Sequence, residues 1–597
     1  MLLGRLSAAE QPKFAAVVSV EKGQDGSAYV VVNGRKAIQL QKSNGSLSPA
    51  ERAGIIAQRL TALLPKVTDL KAISSRDSGE DGQLIVNGTV VAIATPEEAK
   101  ARGTTTHELA AMWAENLRRL LTEPPIAVEP ASLLIPLGER RVLAVRAYVP
   151  GEISAEVSDG TVISADSSMK VGSLVIVGLA VGDAHICIRC GGREVSVPVS
   201  VRKYAASICG TAKAAITGRN PPVSLLDKAA RDVVRSMVTT EPGASISKIE
   251  LPKTAHVPTP GHTSQMTMMV EAQGQGYIPA RFPAQVEIEN RRLPEVESGE
   301  IWFSNFPETL RKYQVLFTGR LATSEESTRL LYHHYNDMPQ CVGFVIDVIN
   351  PSTQPAELHV IEGVSDPMVD VVIVGYVAGK EFINCHQANV GRIFTLPPGT
   401  RRVLISQAVQ HPKTASGIME FRQLSGEPLI VRLVAKPEEE RRSDDPPGVD
   451  LPLVSFDGTR IGSSDGVFPR PKEVIDATYT VGKQWAFIRI GKNPIKHETL
   501  DTSLYAFGIT YDINATLVNP TDQDRTIEVL FEATAGPAAG VFLLDGKYAE
   551  VKRLGPPDER LIGSYLVRSG KTRSLHIRTI PLSGSAYPAT LIIRAAK

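Results

Sequence analysis

The sequence predicts a mainly β, multidomain fold, in which Ig-like β-sandwiches follow a small N-terminal α+β domain built from a ββα repeat. The chain has 597 residues, too many for one core, because single domains take about 100 to 200 residues. Its 48 Gly and 41 Pro separate short runs of Val and Ile, which is typical of β domains. A strand-and-turn pattern also occurs twice in the C-terminal half. Together these observations predict several domains, most of them β.

The repeated pattern centres on two Asn-Pro turns, Asn350-Pro351 and Asn519-Pro520, which lie 169 positions apart. Each turn follows an apolar strand and precedes another. Later in each copy come a Gly turn with an alternating strand and a Ser-Gly pair before a final strand; the paired segments are 358–361 and 527–530, 403–408 and 574–580, Ser416-Gly417 and Ser583-Gly584, and 429–434 and 589–593. The order predicts two tandem copies of one β module, 291–436 and 451–597.

Residues 15–122 contain a repeat of their own. Asn33-Gly34 and Asn87-Gly88 each separate two strand-like runs, and Asn-Gly is a strong hairpin signal because both central residues need positive φ. A helix pattern follows each hairpin, the first with Ser48 as N-cap and Glu51 placed to close a capping box. These signals predict a ββα-ββα domain.

This N-terminal region resembles the extracytoplasmic domain that precedes some cyanobacterial mechanosensitive-channel-like proteins. The resemblance lies in Glu51-Arg52-Ala53, Arg59-Leu60, Ala94-Thr95 and the segment 114–117 (Ala-Glu-Asn-Leu). It implies a location outside the cytoplasm and does not imply channel activity, because no membrane helices follow.

Residues 123–203 predict an Ig-like sandwich, because several strands are separated by Gly turns and the segment 195–201 carries Val at every second position. The Leu137-Gly138-Glu139 opening, the pair Gly178 and Gly182, and the closing Val-rich strand are similar to the N-terminal domain of pilus-assembly secretins. This resemblance implies an extracytoplasmic assembly or interaction module.

Three further segments are assigned from composition and short local patterns. Residues 204–290 predict a small α+β unit with a helix capped by Ser224, and the charged, Pro-containing segment 437–450 predicts a linker that cannot fold by itself. Residues 1–14 are expected to be a flexible N-terminus or the remnant of a signal peptide, since Leu6-Ser7-Ala8-Ala9 resembles the end of such a peptide.

Charge and cysteine content exclude some functions. Lys plus Arg number 65 against 64 Asp plus Glu, so no overall field attracts nucleic acid or an acidic membrane surface. No run approaches the roughly 18 apolar residues of a membrane helix. Five Cys do not make a disulfide scaffold, although Cys209 with Cys187 or Cys190, and Cys341 with Cys385, are possible pairs.

The candidate metal ligands are His333 and His334, within a Tyr-His-His-Tyr-Asn segment, together with Cys385 and His386. Imidazole and thiolate are the usual ligands of zinc and copper. Adjacent histidines on a strand point to opposite faces, so at most one of His333 and His334 could share a site with Cys385 or His386. The alternative is imidazole and aromatic packing at a strand edge.

Other motifs lack the context that their chemistry needs. Gly462-Ser463-Ser464-Asp465-Gly466 matches a nucleophile elbow, but the two prolines that follow exclude the required helix, so we expect a polar loop. Cys187 and Cys190 have redox spacing but lie in a strand instead of at a helix N-terminus. We predict no catalytic residues and no cofactor.

The C-terminal modules resemble the β regions of bacterial surface and stalk-type proteins, through the Tyr-His-His-Tyr-Asn segment, Asn350-Pro351 and Tyr587-Pro588-Ala589. The sequence therefore predicts a non-enzymatic protein, secreted, periplasmic or on the cell surface, with a structural, adhesive or assembly role and with other surface proteins or polysaccharide as partners. The alternatives are a metal-dependent or carbohydrate-binding protein, or an enzyme of such a kind, using residues 332–337 and 385–386. Trp302 and Trp485 could form a sugar-stacking platform, but both lie in apolar runs that are typical of a core.

Overall fold

The computed structural model describes residues 16–149, 151–166, 172–253, 255–322, 325–453, 466–504 and 506–596. Strands make up 52% and helices 15%, so the prediction of a mainly β fold with sandwich modules is confirmed. The chain divides into two compact units, one of residues up to 205 with 274–278, the other of residues 206–273 and 279–597.

The N-terminal domain consists of two three-stranded antiparallel sheets, with strand orders β1-β2-β3 and β4-β5-β6, and three helices. The elements are β1 (Val18–Lys22), β2 (Ala28–Val32), β3 (Arg35–Leu40), α1 (Pro49–Leu63), β4 (Ile73–Ser78), β5 (Asp81–Val86), β6 (Thr89–Ala94), α2 (Pro96–Lys100) and α3 (Thr106–Thr122). The predicted capping box of Ser48 and Glu51 is present. The repeat is βββα and not ββα, because β1 and β4 are mostly exposed strands without the apolar alternation that would reveal them.

The second domain is a sandwich of two four-stranded sheets, β10-β13-β14-β8 and β11-β12-β9-β7, around one apolar core. Its strands are β7 (Ile126–Glu129), β8 (Leu133–Pro136), β9 (Arg140–Ala147), β10 (Ser154–Val157), β11 (Ile163–Asp166), β12 (Ser173–Gly178), β13 (Gly182–Cys190) and β14 (Arg193–Arg202). Val197, Val199 and Val201 face the core, as the alternation predicts.

Residues 206–291 form a helix, a two-stranded sheet of β15 and β17, and four strands, β16 and β18 to β20, that join a sheet of the first C-terminal module. The elements are β15 (Ala206–Ile208), β16 (Ala212–Thr217), α4 (Val223–Met237), β17 (Val238–Thr240), β18 (Ala244–Glu250), β19 (Thr263–Gly274) and β20 (Ala280–Arg291). Ala215 and Ile216 of β16 pair with Ile393 and Arg392 in that module. The segment predicted as a separate α+β unit, 204–290, therefore extends a neighbouring sheet, a pairing that local sequence patterns do not reveal.

The first C-terminal module is a sandwich of a five-stranded sheet, β23-β30-β25-β28-β31 with β31 at Asp450–Pro452, and the central strands of an eleven-stranded sheet, with an apolar core between them. Its elements are β21 (Ser298–Ser304), β22 (Thr309–Leu310), β23 (Gln314–Arg320), β24 (Ser327–Asn336), β25 (Val342–Asn350), β26 (Ala356–Val364), α5 (Val371–Gln387), β27 (Arg392–Leu396), β28 (Thr400–Val409), β29 (Thr414–Ser425) and β30 (Ile430–Pro437).

The segment 437–450, predicted as a linker, instead contains α6 (Glu438–Asp444) and leads into β31 (Asp450–Pro452), which pairs with β28. Its charges hold it to the module. Glu438 binds Arg441 on the next turn of the helix, and Asp445 is buried between Arg401 and Lys436. The linker prediction failed because it treated these charges as solvated when they pair with charges of the module.

The second C-terminal module is a sandwich of the sheets β33-β37-β42-β39-β40 and β34-β43-β38-β41. Before it, β32 (Val467–Pro469) pairs with β21 at the edge of the eleven-stranded sheet. The strands of the second module are β33 (Lys472–Thr480), β34 (Ala486–Ile490), β35 (Ile495–Lys496), β36 (Ser503–Leu504), β37 (Thr510–Asn519), β38 (Arg525–Glu532), β39 (Ala538–Leu544), β40 (Lys547–Leu554), β41 (Glu559–Val567), β42 (Lys571–Thr579) and β43 (Ala589–Ala595).

The two modules share strand pairings around the Asn-Pro turns. β25 pairs with β28 as β37 pairs with β42, and β26 pairs with β27 and β29 as β38 pairs with β41 and β43. The Ser-Gly alignment predicts that β43 corresponds to β30, the strand after Ser416-Gly417. The pairings instead match β43 with β29, and Ser416-Gly417 lies inside β29. The tandem duplication itself stays a prediction.

Candidate functional site

Helix α5 lies between the two C-terminal modules, and we call the surfaces that meet around it the intermodule interface. Asp370 caps the helix, its carboxylate accepting hydrogen bonds from the backbone N–H groups of Val372 and Ile373. One side of α5 packs on β26 and β29 of the first module, through residues such as Phe382. Another side, including Tyr376 and Ile383, packs on Val541 and Leu582 of the second module. Apolar residues on two sides fit a helix that is covered by protein on both.

Three glycines permit this close packing. A Cβ on Gly375 would overlap the carbonyl oxygen of Ser583, and one on Gly379 would overlap the Leu582 side chain. On the other side of the helix, a Cβ on Gly363 of β26 would overlap the Ala378 carbonyl oxygen and Phe382. The helix backbone is therefore in direct contact with both modules.

The apolar core is continuous across this interface. Leu331 and Phe382 of the first module belong to the same buried cluster as Ile513 and Leu591 of the second. Polar contacts reinforce it: the Lys380 ammonium lies 2.8 Å from Glu550, which also accepts a hydrogen bond of 2.7 Å from the Tyr548 hydroxyl. These contacts make the two modules one body.

A buried ion pair lies near the C-terminal end of α5. Arg329 and Glu420 have side chains only 2% and 5% exposed, and their nearest charged atoms are 3.3 Å apart. Arg329 also donates to the Gly508 carbonyl oxygen at 2.8 Å and to the Thr510 hydroxyl at 2.9 Å, both in the second module. Since an unpaired buried charge is costly, this arginine stabilises the docked arrangement.

Glu420 has further partners. The Ser298 hydroxyl donates to its carboxylate at 2.8 Å, and His386 Nε2 lies 3.4 Å away. Burial alone would raise the pKa of Glu420, but His386, Arg329 and Ser298 outweigh burial and lower it well below its ordinary value. The carboxylate is thus held ionised.

These groups border a cavity of about 260 Å³ lined by residues of both modules. Its second-module wall carries Asp512, which binds Arg578 at 2.7 Å and lies 3.4 Å from Lys472. Burial opposes ionisation of Asp512, but these cations lower its pKa below the ordinary value. The carboxylate and the two cations of this wall form ion pairs with each other. Such pairing favours a role in holding the modules together over a role in proton transfer.

A cleft of about 460 Å³ lies at the N-terminal end of α5. Its walls include Phe303 and Phe507, and His333 lies beside the loop at Gly584. His333 Nδ1 shares a hydrogen bond of 3.0 Å with the Ser416 hydroxyl. Burial of His333 lowers its pKa to about 4, so its imidazole is neutral at neutral pH.

The four predicted metal ligands do not converge. His333 and His386 border opposite ends of α5, which are roughly 20 Å apart at 1.5 Å per residue. His334 lies on the other face of β24, as the alternation predicts, and its ring contacts Phe344. The strand is central in its sheet and not at an edge, because β21 and β29 flank it.

His334 is held by two hydrogen bonds. Its Nδ1 donates to the Pro307 carbonyl oxygen at 2.9 Å, which leaves Nε2 to accept from the Ser304 hydroxyl at 3.0 Å. Burial raises the pKa of the Cys385 thiol to about 12, which disfavours a thiolate ligand. Among the described residues, no group of three or more His, Cys, Asp or Glu side chains is placed to hold a metal ion.

The other sequence candidates are also placed. All five cysteines are free, so neither predicted disulfide pair is formed. Residues 462–465 of the elbow-like motif lie outside the described residues, as do residues 1–14. Trp302 is a core residue, as predicted, with 2% exposure, whereas the core prediction for Trp485 is wrong because it is 42% exposed.

Comparisons with known proteins cover single parts of the chain. Residues 29–124 match the model of a domain of unknown function (DUF8459). No curated protein matches the sequence. Because the family match covers only the N-terminal domain, it does not assign the whole chain to a family.

Solved structures with partial likeness are multidomain β proteins. Domains 4 and 5 of the S-layer protein SbsC are 21% identical, with 13% of this chain and 51% of that chain covered and a TM-score of 0.12. The fibronectin(III)-like modules of Clostridium thermocellum CbhA are 14% identical, with 28% of this chain and 94% of that chain covered and a TM-score of 0.15. Protocadherin Gamma B2 cadherin domains 1–5 are 14% identical, covering 28% and 40%, with a TM-score of 0.12.

This chain thus spans about half of the first of these structures. At such low TM-scores the matches decide neither the arrangement nor the activity of this chain. Within the described residues, none of the helices combines the length and the apolar character needed to cross a membrane.

Sequence reasoning missed α5 and the Arg329–Glu420 pair. The segment 371–377 is rich in Val and Ile, which favour strands, so composition hides the helix. The usable signals were Asp370 as an N-cap and Gly375 and Gly379 four positions apart on one helix face. Arg329 and Glu420 lie in strands that are buried on both faces, and no local sequence pattern shows which residues of other strands contact them.

Proposed function

We propose that this protein is a non-enzymatic structural or adhesive protein of a bacterial cell envelope or surface, acting outside the cytoplasm. In this proposal the two C-terminal β modules work as one rigid body that holds their outer faces in a fixed relation. The observation that carries it is the burial of α5 between the modules, with glycine-mediated backbone contact on both sides.

Rigidity follows from what separation of the modules would require. Separation would expose the shared apolar core and would remove Gly508 and Thr510, the hydrogen-bond partners that the second module supplies to the buried Arg329. Modules joined only by a flexible linker and a small polar contact would move independently. A fixed pair of sandwiches suits a scaffold or an adhesin arm that transmits force.

The chemistry of the intermodule interface also supports a structural role. Charged groups that line the 260 Å³ cavity form ion pairs with each other, as Asp512 does with Arg578, and the neutral His333 bonds to Ser416. The resemblances of residues 15–203 to extracytoplasmic and secretin domains favour export.

Labelling of intact cells tests this proposal. Cells that make the protein from its native gene are treated with a membrane-impermeant, amine-reactive biotin reagent, and labelled peptides are located by mass spectrometry. We expect labels on exposed lysines such as Lys213 and Lys496 in intact cells. Labelling that appears only after lysis, together with a cytoplasmic marker, would refute an extracytoplasmic role.

A complementation experiment tests the rigid-body part. A strain that lacks the protein is supplied with either the wild type or Gly375→Ala, and envelope integrity is measured by detergent sensitivity. We expect equal surface amounts of both proteins and poorer rescue by the variant. Equal rescue by a variant whose modules have separated, as shown by hydrogen exchange in α5, would contradict it.

A further inference from the structure

The outer face of the sheet β34-β43-β38-β41 carries two exposed aromatic rings. Trp485 is 42% exposed and Phe487 is 53% exposed, whereas Trp113 and Trp302 are buried at 1% and 2%. Phe487 lies in β34 on the face opposite the buried Ile488, and Trp485 directly precedes this strand. Their ring centroids are 6.3 Å apart with planes inclined by 38°.

A charged residue contacts the Trp485 ring. The Arg594 guanidinium lies 4.8 Å from the centroid of the Trp485 ring, a cation–π contact. Arg594 is itself fixed, because its side chain is 9% exposed and binds Glu559 at 2.6 Å, with Glu528 3.7 Å away. The indole is therefore preorganised, and a ligand would not bear the full entropy cost of ordering it.

The exposed apolar side chains of this face do not form one continuous patch. Phe487, Ile592, Leu530 and Leu561 form one row across the four strands. The two central members are only 3% and 4% exposed, while the ends are 53% and 49% exposed. The aromatic pair is thus a separate, small patch at the edge strand β34.

A patch of this kind does not suit a protein partner. Stable protein interfaces bury about 1,200–2,000 Å² and have a core depleted of charge. Here two rings stand directly beside the charged Arg489 and the ion-paired Arg594. The size and composition fit a ligand with one flat apolar face and a polar rim.

We propose that Trp485 and Phe487 form a platform that binds the pyranose rings of a polysaccharide. The C–H groups on one face of such a ring are weakly electropositive and pack on the negative face of an aromatic ring. Its equatorial hydroxyls extend sideways, where Arg489 and the carboxylate of Glu559 can bond to them. Two rings whose centroids are 6.3 Å apart fit successive sugar residues of a chain.

This inference rests on the proposed adhesive role and names its partner class. It moves the carbohydrate hypothesis from Trp302, which is buried, and from residues 332–337 to the outer face of the second module. Failure of sugar binding would leave the cell-labelling result unaffected, so the two proposals are separable.

Retention on insoluble polysaccharides tests the platform. The full chain is mixed with cellulose, with chitin and with purified peptidoglycan, and bound protein is measured after washing. We expect retention on at least one polymer, a loss of at least tenfold in Trp485→Ala, and partial loss in Phe487→Ala. The matched controls are Phe306→Ala and Leu561→Ala, which change exposed apolar residues elsewhere in the same unit, at 78% and 49% exposure. We expect both controls to be retained like the wild type.

Fluorescence quenching supplies a readout that does not depend on folding of a variant. Only one of the three tryptophans is exposed, so acrylamide should quench Trp485 preferentially, and soluble oligosaccharides of the retained polymer should protect it. Absence of retention on all three polymers, or retention unchanged in Trp485→Ala, would overturn the proposal. Loss of self-association in Trp485→Ala without any sugar binding would also overturn it, in favour of a second copy as the partner.

Discussion

Asn350 and Asn519 make the same hydrogen bonds at the ends of two strands that lie in different modules. The amide of Asn350 donates to the carbonyl oxygens of Gln354 and Leu396, and that of Asn519 donates to those of Gln523 and Val567. Each Asn side-chain oxygen also accepts from the backbone and the hydroxyl of the residue two positions on, Ser352 or Thr521. Each Asn therefore stabilises the turn that follows its strand and links the end of that strand to a neighbouring strand.

A third turn of this type occurs at Asn336, at the end of β24. Its amide donates to the carbonyl oxygens of Gln340 and Val409, and its oxygen accepts from the backbone N–H of Met338. Asn336, Asn350 and Asn519 are all fully buried. The motif is a general anchor of these modules, and Pro after Asn is dispensable, because Asp337 follows Asn336.

We predict that Asn519→Ala destabilises the second module locally by about 2–4 kcal/mol, because the buried carbonyl oxygen of Val567 loses its donor and the turn loses its other side-chain hydrogen bonds. Hydrogen exchange measured by mass spectrometry should show at least tenfold faster exchange in peptides covering β37 and β38. The control is Asn514→Ala, on the same strand as Asn519. It removes an exposed hydrogen bond to Asp476 of β33 and should change exchange less than threefold. Equal effects of the two variants would contradict an anchoring role.

The Asn turns could be predicted from the sequence because their signal is local. An apolar strand followed by Asn, a small hydroxyl residue and Gln occurs at both positions, so the spacing alone reveals it. Helix α5 could not, because its Val-rich start favours a strand and only burial on two sides makes it a helix. Trp485, which directly precedes β34, shows the same limit, because the sequence does not show which face of the sheet is covered.

Substitutions of Arg329 and Glu420 can separate the effect of losing their ion pair from the cost of burying a single charge. Arg329→Met leaves Glu420 buried without its guanidinium and should destabilise the intermodule interface by about 3–5 kcal/mol. The double variant Arg329→Met, Glu420→Met removes both charges and should recover at least half of that loss. Exchange of peptides covering β29 in the single and double variants measures the coupling. Additive effects of the two substitutions would show that the residues do not act as a pair.

Glycine at position 375 can be tested against a glycine with no neighbour. Gly375→Ala places a methyl group against the Ser583 backbone and should destabilise the packing of α5 by about 1–3 kcal/mol. Gly54→Ala, in the exposed face of α1, meets no atom within 4 Å and should stabilise its helix by about 0.5–1 kcal/mol. Exchange rates in α5 should rise in the first variant, while those in α1 should fall in the second. Slower exchange in α5 of Gly375→Ala would refute the close contact.

Metal analysis tests the absence of a converged ligand set. We expect protein purified without chelators to hold much less than one equivalent of zinc or copper, because His334 uses both ring nitrogens for hydrogen bonds and Cys385 is protonated. Inductively coupled plasma mass spectrometry gives the metal content of the wild type and of His334→Ala. One equivalent of metal that is lost in the variant would contradict the structure.

Buried histidines predict how stability depends on pH. Burial lowers the pKa of His333, His334 and His359 to about 4, whereas an unfolded histidine has a pKa of about 6.5. Between these values the unfolded chain binds more protons, so stability is full above about pH 6.5 and falls as the pH drops toward 4. Each group should remove up to about 3 kcal/mol by pH 4, from 1.36 kcal/mol per pKa unit. Urea-unfolding midpoints of the full chain at pH 7.5, 6.5, 5.5 and 4.5 measure this loss.

The substitution His334→Gln isolates one contribution, because Gln keeps hydrogen-bonding atoms but does not titrate. We expect the variant to be less stable at pH 7.5 and to lose less stability than the wild type between pH 6.5 and 4.5. The matched control, His256→Gln, changes an exposed imidazole and should leave the pH dependence unaltered. A pH dependence of His334→Gln as steep as that of the wild type would show that this histidine does not contribute to the acid sensitivity of the module.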